Sequence, residues 1–352
     1  MRFMYMSMIV TAAVLAGCAA VAERPAAKDG YAYRAFALQG DLSGAEAGLA
    51  THDPQSDLLQ RFRARFLERT DGIDLAGVEA PLIRQLGELY QDYWRQALVE
   101  PDRRESLEDA LGRDVRQLIL EYLPSYPESS EDDVFNHVAD AIGEHGYKAI
   151  GGRTPPLLEL IVWRRNREAV VDVELTDGTH RIPITYQEDF LIRGWAHFAT
   201  FGQSSAGGWA TPEGLHCVAD AYDLASENFL VSFLKHEARH FVDYSKYPAL
   251  AAADLEYRAK LTELVFARET AAALLERFSR NAARVDNSPH ALANWHVDRN
   301  LRLKLAPDGR PELAWGALDT AGVASAAKEL LRENDRDLAA AGALTTKGVI
   351  LP

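Results

Sequence analysis

From Ser226 the chain reads Phe229, Leu230, Phe233, Leu234, His236, Glu237, Ala238, Arg239, His240 and Phe241, a helix behind a capping serine that is apolar enough to lie inside the fold. Within it stands His-Glu-x-x-His. His236 and His240 are four residues apart, hence on one face about one turn apart, where two imidazole nitrogens can reach a single Zn²⁺ at roughly 2.0–2.1 Å. Glu237 is adjacent and turns toward a water on that metal. Zinc lowers the pKa of such a water toward ~7, and a carboxylate beside it can take the proton during attack on a carbonyl and pass it to the leaving amine. With 10 histidines in 352 residues, the motif arises by chance at roughly a few hundredths per chain. The bland alternative is a structural helix with two histidines facing water, and the apolar flanks argue against it.

Over residues 205–270 the chain resembles the zincin metallopeptidases. Metzincins continue with glycine three residues and histidine six residues after the second histidine, where this chain has Asp243 and Lys246. The aspartate-ligand branch carries Gly-Thr-x-Asp-x-x-Tyr-Gly, and nothing near Asp254 matches it. The resemblance is therefore to the glutamate-ligand (gluzincin-like) type, whose third ligand comes from the next helix, often as Glu-x-x-Ala. Glu256-Tyr257-Arg258-Ala259 has that form. Two positions depart from the family: Arg239 is a charge at a usually uncharged motif position, and Lys260 stands where some members have aspartate.

The helix after the motif supports the same ligand. Pro248 can begin it, its pattern runs to about Phe278, and Glu256, Ala259, Glu263, Ala267, Thr270 and Leu274 fall on one face. Two carboxylates on a small-residue face packed against a neighbouring helix are costly without a cation or hydrogen-bond partners. Glu256 is the expected ligand. Glu263, about two turns on, either accepts a hydrogen bond from a ligand imidazole or is itself the ligand if the interhelix loop is shorter. Two features are weaker. Gly207-Gly208-Trp209-Ala210 lies where zincins keep an edge strand that pairs with extended substrate, although a plain loop before a strand reads equally well. His290, His296 and Asp298 follow the glutamate helix, where the resemblance implies a side chain that binds the tetrahedral oxyanion. A surface position accounts for either histidine, and His296 is the candidate because Trp295 and Val297 beside it point to partial burial.

Upstream, Leu58, Leu59, Phe62 and Phe66 fall at helical spacing, as do Ile83, Leu86, Tyr90 and Trp94, and Leu107, Leu111, Val115 and Leu118 behind Ser106 as a cap. Val134, Val138 and Ile142 repeat the pattern behind Ser130. These stripes are packing faces. Past Gly151-Gly152 and Pro155-Pro156 the period becomes two, with Val171, Val173 and Leu175 on one side of Asp177-Gly178 and Ile182, Ile184 and Tyr186 on the other: a β-hairpin. Pro183 implies an edge strand or a ladder position needing no donor. Further extended segments are expected at Phe190–Phe201 and Trp209–Val218, and a last helix at Ala317–Leu338.

The chain begins as a processing signal: Arg2, an apolar stretch from Ile9 to Ala16, then Leu15-Ala16-Gly17-Cys18. This resembles the bacterial lipoprotein signal, which implies cleavage before Cys18 and acylation of it. Ala19 and Ala20, in place of a retaining aspartate, imply the outer membrane. Cys217 then has no partner and reads as a buried small hydrophobe. Net charge is −14, or −15 once Arg2 leaves with residues 1–17, so no nucleic-acid partner is expected. At 26 % charged and 47 % hydrophobic, the chain is neither disordered nor polytopic in a membrane.

The reading is an α+β, mostly helical zincin-like protein with a small mixed sheet, at about 159–225, preceding the motif helix. Residues 1–17 form the signal peptide, 18–40 a tether, 41–158 a helical part, 159–300 the metallopeptidase core and 301–352 a helical C-terminal part. The motif helix is expected at about 226–244 and the glutamate helix from about 248. The expected activity is peptide-bond hydrolysis in the cell envelope with one Zn²⁺ per chain, held by His236, His240 and Glu256, with Glu237 as general base and His296 on the oxyanion. The partners are a peptide or protein substrate and the membrane through the lipid anchor. The alternatives are a non-catalytic lipoprotein with a structural zinc site and a hydrolase of a non-peptide amide or ester.

Overall fold

A computed structural model describes residues 28–123, 134–285, 288–306, 315 and 319–342. Cys18, the signal sequence and Ser130 lie outside them. The class is α+β. The described residues fall into two compact units, one of residues 28–167 and 187–206, the other of 168–186 and 207–342. Among the described residues no helix is long and apolar enough to cross a membrane.

In the first unit, helices α1 (Lys28–Leu38), α2 (Ala45–His52), α3 (Asp57–Phe62, continued by a π-helical turn Arg63–Leu67), α4 (Pro81–Val99), α5 (Arg104–Tyr122) and α6 (Val134–Gly143) precede the strands. The stripes form the core: Ile83, Leu86, Tyr90 and Trp94 of α4 are fully buried against Leu107, Leu111, Val115 and Leu118 of α5 and Val138 and Ile142 of α6. Each such side chain contributes roughly 1.5–3 kcal/mol on burial. Two expectations are corrected. Helix α1 occupies much of the segment read as tether, because Tyr33 docks inward, stacking on Phe201 and donating its hydroxyl to the Ala199 carbonyl at 2.9 Å. Ser106 does not cap α5; it lies within the first turn, its hydroxyl donating back to the Arg103 carbonyl.

Strands β1 (Lys148–Ile150), β2 (Arg153–Thr154), β3 (Leu157–Leu158), β4 (Ile161–Leu175) and β5 (Gly178–Arg193) follow. The β4–β5 hairpin turns through Thr176-Asp177, one residue before the expected Asp177-Gly178, with Gly178 (φ +136°) opening β5, and it is longer than its alternating core suggested. Its base belongs to the first unit and its tip to the second. The segment 190–201 is not extended throughout. At Gly194 (φ +86°) the chain leaves β5 for helix α7 (Gly194–Ala199), and a Cβ there would stand 2.4 Å from a carboxylate oxygen of Glu159. Only glycine fits.

The second unit adds β6 (Gly208–Thr211), β7 (Gly214–Val218), α8 (His236–Lys246), α9 (Ala252–Phe266), α10 (Ala271–Arg280), α11 (Pro289–Leu305) and α12 (Thr320–Ala341). The five-stranded sheet has the order β1-β4-β5-β7-β6, so β6 is an edge strand, paired antiparallel with β7 at Trp209 opposite His216. The place of β5 in the middle removes the edge reading of Pro183 and leaves the donor-free ladder position. One apolar layer joins Val173, Leu175, Ile182, Ile184, Leu215 and the fully buried Cys217 to Phe229, Phe233 and Ala238 of the motif segment. A second surrounds α9, α10, α11 and α12.

The motif helix starts as expected, with Ser226 accepting the Phe229 N–H at 3.2 Å, but its first turns, Asn228–Lys235, are π-helical. It stops at Lys246 because Tyr247 precedes Pro248. Pro248 is the second residue of a turn closed by the Leu250 N–H on the Tyr247 carbonyl, and α9 begins later, at Ala252. The glutamate helix also breaks after Phe266. The Glu227 carboxylate accepts the N–H groups of Arg268, Glu269 and Thr270 and the Thr270 hydroxyl, holding the non-helical link between α9 and α10. Ala267, Thr270 and Leu274 thus do not extend the Glu256–Glu263 face.

Candidate metal centre

Helix α8 puts His236 and His240 on one face, their rings 4.8 Å apart at 81°. Helix α9 packs against it and supplies the carboxylate. His240 Nε2 lies 3.1 Å from His236 Nε2 and 3.3 Å from Glu256 Oε1, and His236 Nε2 lies 3.7 Å from Glu256 Oε2. The three side chains form a group that could hold a metal ion. The spacing can be tested. Ligand atoms around a tetrahedral ion at ~2.0–2.1 Å stand about 1.6 times that distance apart, or roughly 3.3–3.4 Å. The two separations from His240, 3.1 and 3.3 Å, come close to that value, while the 3.7 Å contact of His236 is to the other carboxylate oxygen.

The electrostatics agree with the fit. Glu263 Oε1 lies 2.7 Å from His236 Nδ1, which places a ring proton on that side and leaves Nε2 facing His240 and Glu256. His240 Nδ1 is buried without a hydrogen-bond partner. Two imidazole edges and a carboxylate converge on one buried point, an arrangement that could hold a cation.

Burial works against the Glu256 carboxylate, yet His290, Lys260 and the His240 hydrogen bond hold it well below the usual carboxylate range. Burial opposes a charged His236, but Glu263, with Glu256 and Glu237 beyond, lifts the ring to about 9. Glu237 is raised by burial, against the pull of His236 and His240. Tyr244 lies parallel to the His240 ring at 6.2 Å and is pushed up to about 12 by burial and by Glu237 and Glu256.

Glu256 and Glu263 thus take distinct places, one with the histidine Nε2 atoms and one on His236 Nδ1. Glu263 is held in turn by Arg277 at 3.4 Å. Lys260 comes 3.4 Å from Glu256 Oε2. The histidine brought to the Glu256 carboxylate is His290, Nδ1 to Oε2 at 2.8 Å, and not His296. His296 is buried against the Tyr257 ring, because six residues along α11 turn the side chain well away from the face His290 presents. Asp298 pairs with Arg302 and accepts from the Trp315 indole. Sequence reasoning ranked His290 second and missed Tyr244, although Tyr244 repeats the four-residue step after His240.

Arg239 is explained by its partners, Asp177 at the hairpin turn and Asp243. The glycines before the motif also have local reasons. A Cβ at Gly207 would stand 2.1 Å from the Tyr222 hydroxyl, and one at Gly208 (φ +149°) 2.4 Å from the Phe233 ring. They let β6 approach the motif segment closely. Compared with protein families, with curated proteins and with solved structures, the chain gives no match.

Proposed function

We propose that the chain is a zinc metallopeptidase, with one Zn²⁺ held by His236, His240 and Glu256. The observation that carries this reading is the convergence of one atom each from His236, His240 and Glu256 to within 4.8 Å of one another, with His240 Nε2 3.1 Å from His236 Nε2 and 3.3 Å from Glu256 Oε1, and with Glu237 next to the first of them in the chain. Zinc in this site supplies Lewis acidity toward a carbonyl oxygen and makes water acidic near neutral pH. The chain's own groups do the rest. Glu237, its carboxyl raised by burial, takes the proton of the attacking water at a carboxylate oxygen and delivers it to the leaving amine. Glu263 orients His236 through Nδ1, and Lys260 and His290 keep Glu256 ionised. His290 replaces His296 as the group that meets developing negative charge. An extended peptide is the favoured substrate because β6 is an edge strand packed against α8, with one side open to backbone pairing.

Glu237→Gln keeps the side-chain shape and removes the basic oxygen. The variant is expected to hold zinc and melt as the parent does, yet to lose cleavage of a peptide library by at least ~10²–10⁴. Equal cleavage by both refutes the mechanism. Zinc binding with no cleavage by either, across the library and the envelope proteins, favours the structural-zinc alternative.

The lipoprotein-type signal adds the location: anchorage through an acylated Cys18 in the bacterial outer membrane, facing the periplasm. Mass spectrometry of the membrane fraction is expected to find acylated Cys18 as the N-terminus, and Cys18→Ser to release the protein. An unmodified N-terminus elsewhere removes this part alone.

A further inference from the structure

Just beyond His240 on α8 and Glu256 on α9, the two ligand helices are joined by buried charges that the proposed chemistry does not use. Asp243, fully buried, follows His240 by less than one turn. Arg258, also fully buried, lies two residues past Glu256. Its Nε donates to Asp243 Oδ2 at 2.7 Å and its Nη2 to Asp243 Oδ1 at 3.2 Å, a forked pair that fixes distance and angle together. The other side of the guanidinium is held from α12, with Nη1 on Asn334 Oδ1 at 2.7 Å and Nη2 on Asp335 Oδ1 at 2.9 Å. Arg239 donates to the same Asp243 at 2.8 Å and to Asp177 at 3.0 Å.

Two guanidinium groups are thus matched by three carboxylates and an amide. A buried network of this kind adds little net stability over apolar packing, while its geometry admits one register of the helices. Helix α9 is buried on nearly all sides and carries no single apolar stripe, so its register rests on polar ties, of which the others are Glu263 on His236, His290 on Glu256 and Asn300 on the Tyr257 hydroxyl. The Asp243–Arg258 fork stands within a turn of both His240 and Glu256, whose ligand atoms must meet at 3.3 Å. A slide or twist of α9 by a fraction of a residue separates them.

We propose that Arg258, forked on Asp243 and held from behind by Asn334 and Asp335, is a positioning residue that sets the His240–Glu256 spacing, so that α12 is part of the metal site's support. This rests on the reading of His236, His240 and Glu256 as ligands, and the test keeps the two apart. Co²⁺ serves as probe, with affinity read by chelator competition, coordination by the visible spectrum, and folding by circular dichroism and melting of the metal-free full chain.

Arg258→Lys keeps the charge but cannot hold both Asp243 oxygens and α12 at once. It is expected to stay helical, to bind Co²⁺ about tenfold more weakly and to shift the Co²⁺ spectrum. Asp335→Asn, on the more exposed partner, is expected to move both readouts the same way by less. A folded Arg258→Lys with parental affinity and spectrum overturns the proposal, as does weaker binding with an unchanged spectrum, which reports only a looser fold. If Arg258→Lys does not fold, Asp335→Asn decides by the same criteria. Absence of Co²⁺ binding by the parent removes the ligand reading and the clamp with it, whereas parental binding with unaffected variants removes the clamp alone.

Discussion

The two units both bury apolar layers, but only one of them buries a large set of charges as well. Around α4 the core is aliphatic and aromatic, and among the described residues of that unit the one buried charged side chain is Glu159. Around α8 and α9 the interior holds His236, Glu237, Arg239, His240, Asp243, Asp254, Glu256, Arg258, Lys260 and Glu263, all buried. An apolar core gains free energy from each contact separately and tolerates neighbours of similar volume. A charged interior gains little on balance, and each member depends on its partners staying in place. The first unit is built to be stable, and the second spends part of its interior on holding a few polar atoms at set distances.

Three experiments put this contrast to the test. The largest expected effect is on the apolar side. Trp94→Ala removes a fully buried ring whose indole N–H donates to the Leu158 carbonyl, and is expected to cost about 3–5 kcal/mol in chemical denaturation. It should leave metal content unchanged, and a loss of metal would show that the two interiors are not independent.

The next concerns Glu159. Its carboxyl is pushed up to about 7 by burial, against hydrogen bonds from the Trp195 and Leu160 N–H groups and Thr154. Because its folded pKa lies above its unfolded one, the folded state binds the extra proton between about pH 4.5 and 7. Stability from this group therefore falls as pH rises through that window, by on the order of 3 kcal/mol, and the penalty persists above it. Glu159→Gln is expected to flatten that part of the stability curve while keeping the acceptor oxygen for Trp195. A parental slope in the variant would assign the pH dependence to other groups.

The smallest effect is expected from metal removal. For the proposed zinc, free ion at 100 times the dissociation constant would add about 2.7 kcal/mol to folding, and a chelator would remove it. Hydrogen exchange read by mass spectrometry should show α8 and α9 losing protection while α4 and α5 keep theirs. Uniform loss across both units would erase the contrast.

Much of this was readable from the residues because it depends on neighbours along the chain. All four members of the stripe Ile83, Leu86, Tyr90, Trp94 are fully buried, and the hairpin turns within one residue of the Asp177-Gly178 step. The misses share a different cause. The non-helical link after α9 is held by the Glu227 carboxylate, about forty residues upstream, taking the backbone N–H groups of Arg268, Glu269 and Thr270. Helix α1 forms where a tether was expected, because Phe201 and Ala199 receive Tyr33. His290 displaces His296 because the rotation of α11 against α9 chooses which histidine looks inward, and flanking residues do not report that rotation.

By itself the sequence determined what a single helix can determine: His236 and His240 share a face and Glu237 stands beside them, since 3.6 residues per turn is a property of the backbone. The tertiary structure alone decided which of two carboxylates meets the histidine Nε2 atoms and which takes Nδ1, what surrounds Arg239, and which histidine reaches Glu256. Those choices depend on the register of α9 against α8 and α11, and a register is set by side chains that meet only after the helices have packed.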